Sequence, residues 1–146
     1  MILLDVNVLV YAYREEAPEH HAFARWLREA GEAEELCGVS DVVLSGVVRI
    51  TTNPRIFRTP APLEHVLDFA NALRGRPSVV GVDPGPRHWP IFTRLCRQTG
   101  AKGDLVPDLW LAALALDSGA ELITADRGFA RVPGLRWRHP LAPDDG

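Results

Sequence analysis

Met1-Ile2-Leu3-Leu4-Asp5-Val6-Asn7-Val8-Leu9-Val10 is a nearly unbroken apolar run with one carboxylate in it. A continuous apolar run reads as a strand buried on both faces of a parallel sheet, while an ionised Asp is expensive to bury unless a cation or hydrogen bonds compensate it. Asp5 is therefore placed at the end of the strand. Ligands of open α/β sheets bind in the crevice beyond the carboxyl ends of the strands, so an acid on the first turn after strand one is well placed to hold a metal. It is also placed to cap a helix over Val6 to Tyr13, because Asp is a favoured N-cap. Both readings stand at this stage.

At 146 residues and 47% apolar content the chain fits one domain with a core that needs no staples. Cys37 and Cys96 lie far apart with no metal-ligand spacing, which predicts reduced thiols and a cytoplasmic protein. No Lys or Arg precedes the apolar run and no apolar segment approaches the length of a membrane span, so neither export nor membrane association is expected. The net charge of -3 does not advertise a nucleic-acid binder, but its distribution is uneven. Residues 15 to 35 hold seven Glu, whereas Arg49, Arg55 and Arg58 fall in a stretch without an acid. Arg binds phosphate bidentately and stacks on bases, so a local Arg-rich face suits RNA even on an acidic protein.

From the first strand onward, helical and extended patterns alternate. An amphipathic helix is expected over Ala17 to Ala30, with Pro18 and Glu19 in its first turn and His20 and His21 on its polar side. A strand over Leu36 to Val39 leads to Ser40, read as the N-cap of a helix over Asp41 to Thr51, and Asn53 to Arg58 must be a loop because of Pro54. Thr59 is read as the cap of a third helix carrying Leu63, Val66, Leu67 and Ala70 on one stripe. A strand over Val79 to Val82 precedes a helix over Arg87 to Gln98, where His88 reads as a satisfied core histidine. The helix over Asp104 to Ser118 shows Leu109, Ala112, Ala113 and Leu116 along one face, and Gly119 stops it. Glu121 to Thr124 is the next strand, with Asp126 just past its end, and Leu135 to Arg138 alternates as an edge strand should. The chain is read as one domain over residues 1–139 and a short polar tail over 140–146.

That alternation predicts a single α/β domain with a parallel sheet of four to five strands, right-handed crossovers and helices on both faces. Strand carboxyl ends share an edge with the starts of the helices that follow, so Asp5, Asp108 and Asp126 converge there. Three carboxylates packed together repel, and a hard divalent ion, Mg²⁺ or Mn²⁺, removes the conflict while activating water and neutralising phosphate oxygens. Asp104, four residues before Asp108, is either a further ligand or an N-cap.

Four stretches carry a resemblance to a known family. They are Leu3-Leu4-Asp5-Val6-Asn7; Val39 to Gly46 leading to Arg49 and Thr52-Asn53-Pro54-Arg55; Leu105-Val106-Pro107-Asp108 through Ala113; and Ile123-Thr124-Ala125-Asp126-Arg127-Gly128-Phe129. In this order and spacing the chain resembles the PIN-domain proteins, specifically the VapC ribonuclease toxins of bacterial toxin-antitoxin pairs. The resemblance implies a Mg²⁺-dependent endoribonuclease acting on single-stranded or looped RNA, a cognate antitoxin protein and a homodimer. It implies Asp5 and Asp108 as principal metal ligands and catalytic residues, with Asp126 completing the cluster and Asp104, Asp41 and Asn7 as further candidates. Arg49, Arg55 and Arg58 would hold RNA phosphates.

One position departs from the pattern. The family generally has a Glu three residues before the Arg49 position, and this chain has Gly46. Asp41, about one turn earlier, either substitutes for that acid or only favours the helix dipole. The loss motivates a second reading of a different class, a PIN-like module that binds RNA or a protein partner without cutting. A phosphatase of the haloacid-dehalogenase type also opens with a strand and an Asp, but it expects a second Asp where this chain has Asn7.

Overall fold

The computed structural model describes residues 1–143. Five strands, β1 (Ile2–Leu4), β2 (Cys37–Val39), β3 (Val79–Gly81), β4 (Glu121–Ile123) and β5 (Trp137–Arg138), pair in parallel in the order β3-β2-β1-β4-β5. The chain thus builds outward from β1 to β3, then returns to the other side of β1. The switch point of such a sheet, where ligands bind, lies between β1 and β4. Leu3 and Leu4 have no exposed surface, as a central strand covered on both faces demands. Gly38 on β2 is needed for close packing: a Cβ there would stand 2.7 Å from a methyl of Val82.

Six helices connect the strands: α1 (Val6–Tyr13), α2 (His20–Ala30), α3 (Asp41–Thr51), α4 (Leu63–Arg74), α5 (His88–Thr99) and α6 (Leu105–Ser118). Right-handed crossovers assign α1 to α4 to one face and the returning pair α5 and α6 to the other. The helix α3 starts from Ser40, whose hydroxyl accepts from the Val42 N–H, as the sequence suggested. The helix α6 is buried at Leu109 and from Leu111 through Ala115, nearly all round, so its single-stripe reading was too narrow. His88 is buried and its Nε2 lies 2.9 Å from the Trp110 carbonyl, a satisfied core histidine as expected.

Three boundaries differ from expectation for local reasons. Residues 17–19 stay outside α2 because Glu19 takes a left-handed φ of 58°, which a helix interior does not tolerate. Thr59 does not cap α4, which begins after Pro62; the Thr59 carbonyl accepts instead from the Arg14 guanidinium. At the carboxyl end Pro140 is buried and Leu141 packs against the core, so the start of the expected polar tail is anchored; residues 144–146 lie outside the described residues.

Arg14 is a buried cation that the sequence did not single out. It donates to Glu16 and to the Thr59 carbonyl, and its guanidinium carbon sits 4.2 Å from the Phe57 ring centroid, clamping the Asn53 to Thr59 loop onto the end of α1. Arg14→Met keeps the aliphatic stem but leaves Glu16 and the Thr59 carbonyl without their donor, at an expected cost of about 2 kcal/mol. Faster proteolysis within residues 53–60 together with a lower melting temperature is the expected result; unchanged protection of that loop would contradict the clamp.

Candidate active site

The first acid ends β1. Asp5 is 8% exposed and every oxygen is used: Oδ1 accepts the Val6 N–H at 2.7 Å, and Oδ2 accepts the Thr124 hydroxyl at 2.7 Å and the Asn7 amide at 3.3 Å. It therefore does cap α1, as one reading held. The same bonds tie it to β4. The Thr124 oxygen accepts from the Asp126 N–H at 3.0 Å and from Asn7 Nδ2 at 3.2 Å, while Asn7 Oδ1 accepts the Ala125 N–H at 3.0 Å. Asn7 and Thr124 are thus cross-strand fasteners that hold the ends of β1 and β4 together. Asn7 was a candidate from its motif. Thr124 was missed, although a hydroxyl two residues before an acid at a strand end was a readable signal.

Asp108 sits in the first turn of α6, where the helix dipole favours a negative charge. With Asp5 it lines a cleft of about 290 Å³ whose other walls include Val6, Gly46, Arg49 and Trp110. Burial, then the negative charges of Asp5 and Asp126, push the Asp108 carboxyl up to about 6, Arg131 pulls it back, and Asp104 adds repulsion. Burial, and to a lesser extent Asp126, raise Asp5 as well, against the lowering effect of its hydrogen bonds. Four acids therefore share one edge of the sheet and feel one another.

They are not drawn into a tight cage. Among the described residues no three His, Cys, Asp or Glu side chains form a ready-made metal-holding group. Asp126 is exposed and turns back to cap the following short 3₁₀ turn, its Oδ1 accepting the Gly128 N–H at 2.8 Å. Asp104 stands at the N-cap position of α6 without making a capping bond, and is exposed. The donor set, carboxylate oxygens of raised proton affinity beside hydroxyl and amide oxygens, suits a hard cation such as Mg²⁺ or Mn²⁺ and no soft one.

The remaining candidates divide. Arg49 is in the cleft with Asp5 and Asp108. Asp41 is not among the residues that line it; it pairs with Arg74 of α4 at 3.4 Å and is largely exposed. Neither Arg55 nor Arg58 is among the residues lining that cleft. Arg58 lines a separate cleft with Tyr13, Arg14 and His65, and the Arg55 N–H is bound to the Asn53 side chain in a tight turn.

Fold and site together define an α/β protein with an acidic cleft at the switch point of a parallel sheet. The chain belongs to the PIN-domain family, whose model matches residues 2–135. It is similar to a VapC ribonuclease of Mycobacterium bovis, with 41% identity over 97% of this chain and 96% of that protein. Among solved structures it resembles VapBC-1 from nontypeable Haemophilus influenzae, with a TM-score of 0.67 and 20% identity over 97% of this chain and all of the other. A toxin-antitoxin complex from Klebsiella pneumoniae has a chain of similar fold, with a TM-score of 0.62 and 17% identity over 98% of this chain and all of the other. Among the described residues no helix is long and apolar enough to cross a membrane.

Proposed function

We propose that this chain is a metal-dependent endoribonuclease, the toxin of a toxin-antitoxin pair, that hydrolyses phosphodiester bonds in single-stranded or looped RNA. The observation that carries the proposal is the placement of Asp5 and Asp108 on the walls of one cleft at the β1–β4 switch point. The ribonuclease name of the 41% identical relative supports it, and the toxin-antitoxin complexes among its structural neighbours support an antitoxin partner. A homodimer and a cytoplasmic location belong to the same proposal, with residues 1–139 as the nuclease domain.

Asp5 and Asp108 are the proposed catalytic residues and would be the principal ligands of Mg²⁺ or Mn²⁺, with Asp126 completing the set. When bound, such a cation supplies an activated water and neutralises phosphate oxygens. The chain's own part is positional. Thr124 and the Val6 N–H fix the plane of the Asp5 carboxylate, Arg49 offers a cation to the incoming phosphate, and Val6, Val42, Val43 and Leu111 keep the cleft wall apolar. Unpaired RNA suits an open cleft because its splayed bases reach side chains that a duplex would hide. The direct test is cleavage of a labelled single-stranded RNA with Mg²⁺ or Mn²⁺; Asp5→Asn, which keeps the shape of the cap, should lose the activity and stay folded. Cleavage that survives in Asp5→Asn, or in EDTA, would sink the reading.

The missing Glu also becomes testable. A Cβ on Gly46 would lie 3.2 Å from a methyl of the half-buried Val6, a tight fit that a few tenths of an ångström relieve, and a longer side chain would enter the cleft. Gly46→Glu is expected to tighten Mn²⁺ binding by adding a carboxylate ligand. Asp41→Asn is expected to leave cleavage unchanged, since its partner is Arg74. Loss of cleavage in Asp41→Asn would instead give that residue the role of the absent acid.

A further inference from the structure

We propose that Arg131 is a catalytic residue whose guanidinium contacts the phosphate of the RNA being cut, beside Asp126 and Asp108. The inference rests on the nuclease reading above and adds a second cation to Arg49.

The geometry follows from the short turn after β4. Residues Arg127–Arg131 form one stretch of 3₁₀ helix started by Asp126, which brings the Arg131 side chain back over Gly128. Its Nε donates to the Gly128 carbonyl at 3.2 Å, which fixes the plane of the guanidinium. Neither terminal nitrogen has a hydrogen-bond partner among the described residues. A Cβ placed on Gly128 would stand 2.9 Å from Asp126 Oδ1 and 3.5 Å from Arg131 Nη2, so carboxylate and guanidinium flank the same small gap. They nevertheless make no ion pair within 4.0 Å. The two groups stand too far apart to pair directly and close enough for one intervening oxygen-bearing group.

Five other arginines of the fold are held by a carboxylate, and Arg131 is not among them. Arg14, Arg74, Arg76, Arg87 and Arg138 each face a carboxylate within salt-bridge distance. Arg131 instead stands across a gap from Asp126, and its positive charge pulls the Asp108 carboxyl back down. An anchored fork with two free donors matches the two non-bridging oxygens of a phosphodiester. In hydrolysis the water oxygen bonds to phosphorus as the bond to the leaving ribose oxygen breaks; that oxygen takes a proton and the attacking water releases one to solvent. Charge grows on the non-bridging oxygens as this happens, and a donor already aimed at them is worth most then.

The experiment compares wild type, Arg131→Lys and Arg131→Ala for steady-state cleavage of a fluorescent single-stranded RNA, Mn²⁺ affinity, melting temperature and, in EDTA, the salt dependence of RNA binding. For Arg131→Ala a fall in kcat of about 100-fold is expected. Mn²⁺ affinity should be undiminished, the variant should stay folded with a melting temperature lower by no more than the few degrees that one lost hydrogen bond and one lost offsetting charge explain, and the slope of log affinity against log salt should be shallower by about one. Arg131→Lys should recover only part of kcat, because a point charge lacks the fork. Unchanged kcat overturns the proposal, as does a loss that comes with weaker Mn²⁺ binding or with an unfolded variant. If wild-type protein itself cuts no RNA with Mg²⁺ or Mn²⁺, the nuclease reading fails and Arg131 falls with it; if wild type and Arg131→Ala cut alike, Arg131 alone fails.

Discussion

Asp108→Asn is expected to remove metal-dependent cleavage and, at pH 7 without metal, to raise the melting temperature. Loss of a group that merely orients a metal ligand costs about 10–100-fold, so a ligand itself should cost at least about 100-fold. The gain in stability comes from the same repulsion that makes the site. Asp108 is pushed up to about 6 from the usual 3.8, first by burial and then by Asp5 and Asp126. Between those values the folded protein holds a proton that the unfolded chain has released, so this group favours folding fully below about pH 4. That contribution is lost as pH rises through about 6. Asn carries no charge at any pH. The variant therefore gains at pH 7 and not near pH 4. Asp108 is only half-buried, so solvent screening reduces the gain to about 1 kcal/mol, or roughly 3 °C for a domain of this size. Melting curves at pH 7 and pH 4 in EDTA check it; a lower melting temperature at pH 7, or a gain that persists at pH 4, would show that the carboxyl is not repelled in the fold. In wild type, cleavage at limiting Mn²⁺ should fall as pH drops through about 6, and excess metal should move that midpoint to lower pH, because cation and proton compete for one carboxylate.

Thr124→Val keeps the shape of a side chain with no exposed surface and removes its hydroxyl. The Asp126 N–H loses its acceptor, Asn7 Nδ2 loses one of two, and Asp5 Oδ2 loses its shortest bond. With one donor left unpaired and two others weakened, a loss of about 1–3 kcal/mol is expected, or roughly 3–10 °C. Among the hydrogen bonds that hold the Asp5 carboxyl down, the one from Thr124 is foremost, so its removal raises that carboxyl further and weakens metal binding. Thr124→Ser, which restores the hydroxyl, should return both stability and metal affinity. A valine variant as stable and as active as wild type would mean that the β1–β4 junction does not depend on this network.

Much of the fold was readable because its determinants are local. The apolar Ile2 to Leu4 segment needs two covered faces, Ser40 caps a helix whose bounds match the expected Asp41 to Thr51, and Gly119 stops α6. Where reading failed, a distant partner had intervened. Thr59 has the chemistry of a cap, but Arg14, 45 residues earlier, takes its carbonyl. Asp41, read either as a substitute acid or as a first-turn residue, pairs with Arg74 of α4, a partner that its neighbours in the chain do not announce. Arg55 and Arg58 follow Arg49 closely in the chain, yet Arg14 clamps the loop after α3 onto the end of α1, and Arg58 lines a different cleft from Arg49.

The sequence by itself determined which residues form strands and helices and that Asp5, Asp108 and Asp126 reach the carboxyl edge of the sheet, because period, caps and strand ends are set by neighbours in the chain. Only the tertiary structure decided that Thr124 and Asn7 lock Asp5 in place, that Gly46 opens into the acidic cleft against Val6, and that Arg131 folds back beside Asp126. Those are meetings between residues distant in the chain, or across a turn whose direction depends on packing. Hydrogen bonds and repulsion between such groups exist only once β1 and β4 lie side by side.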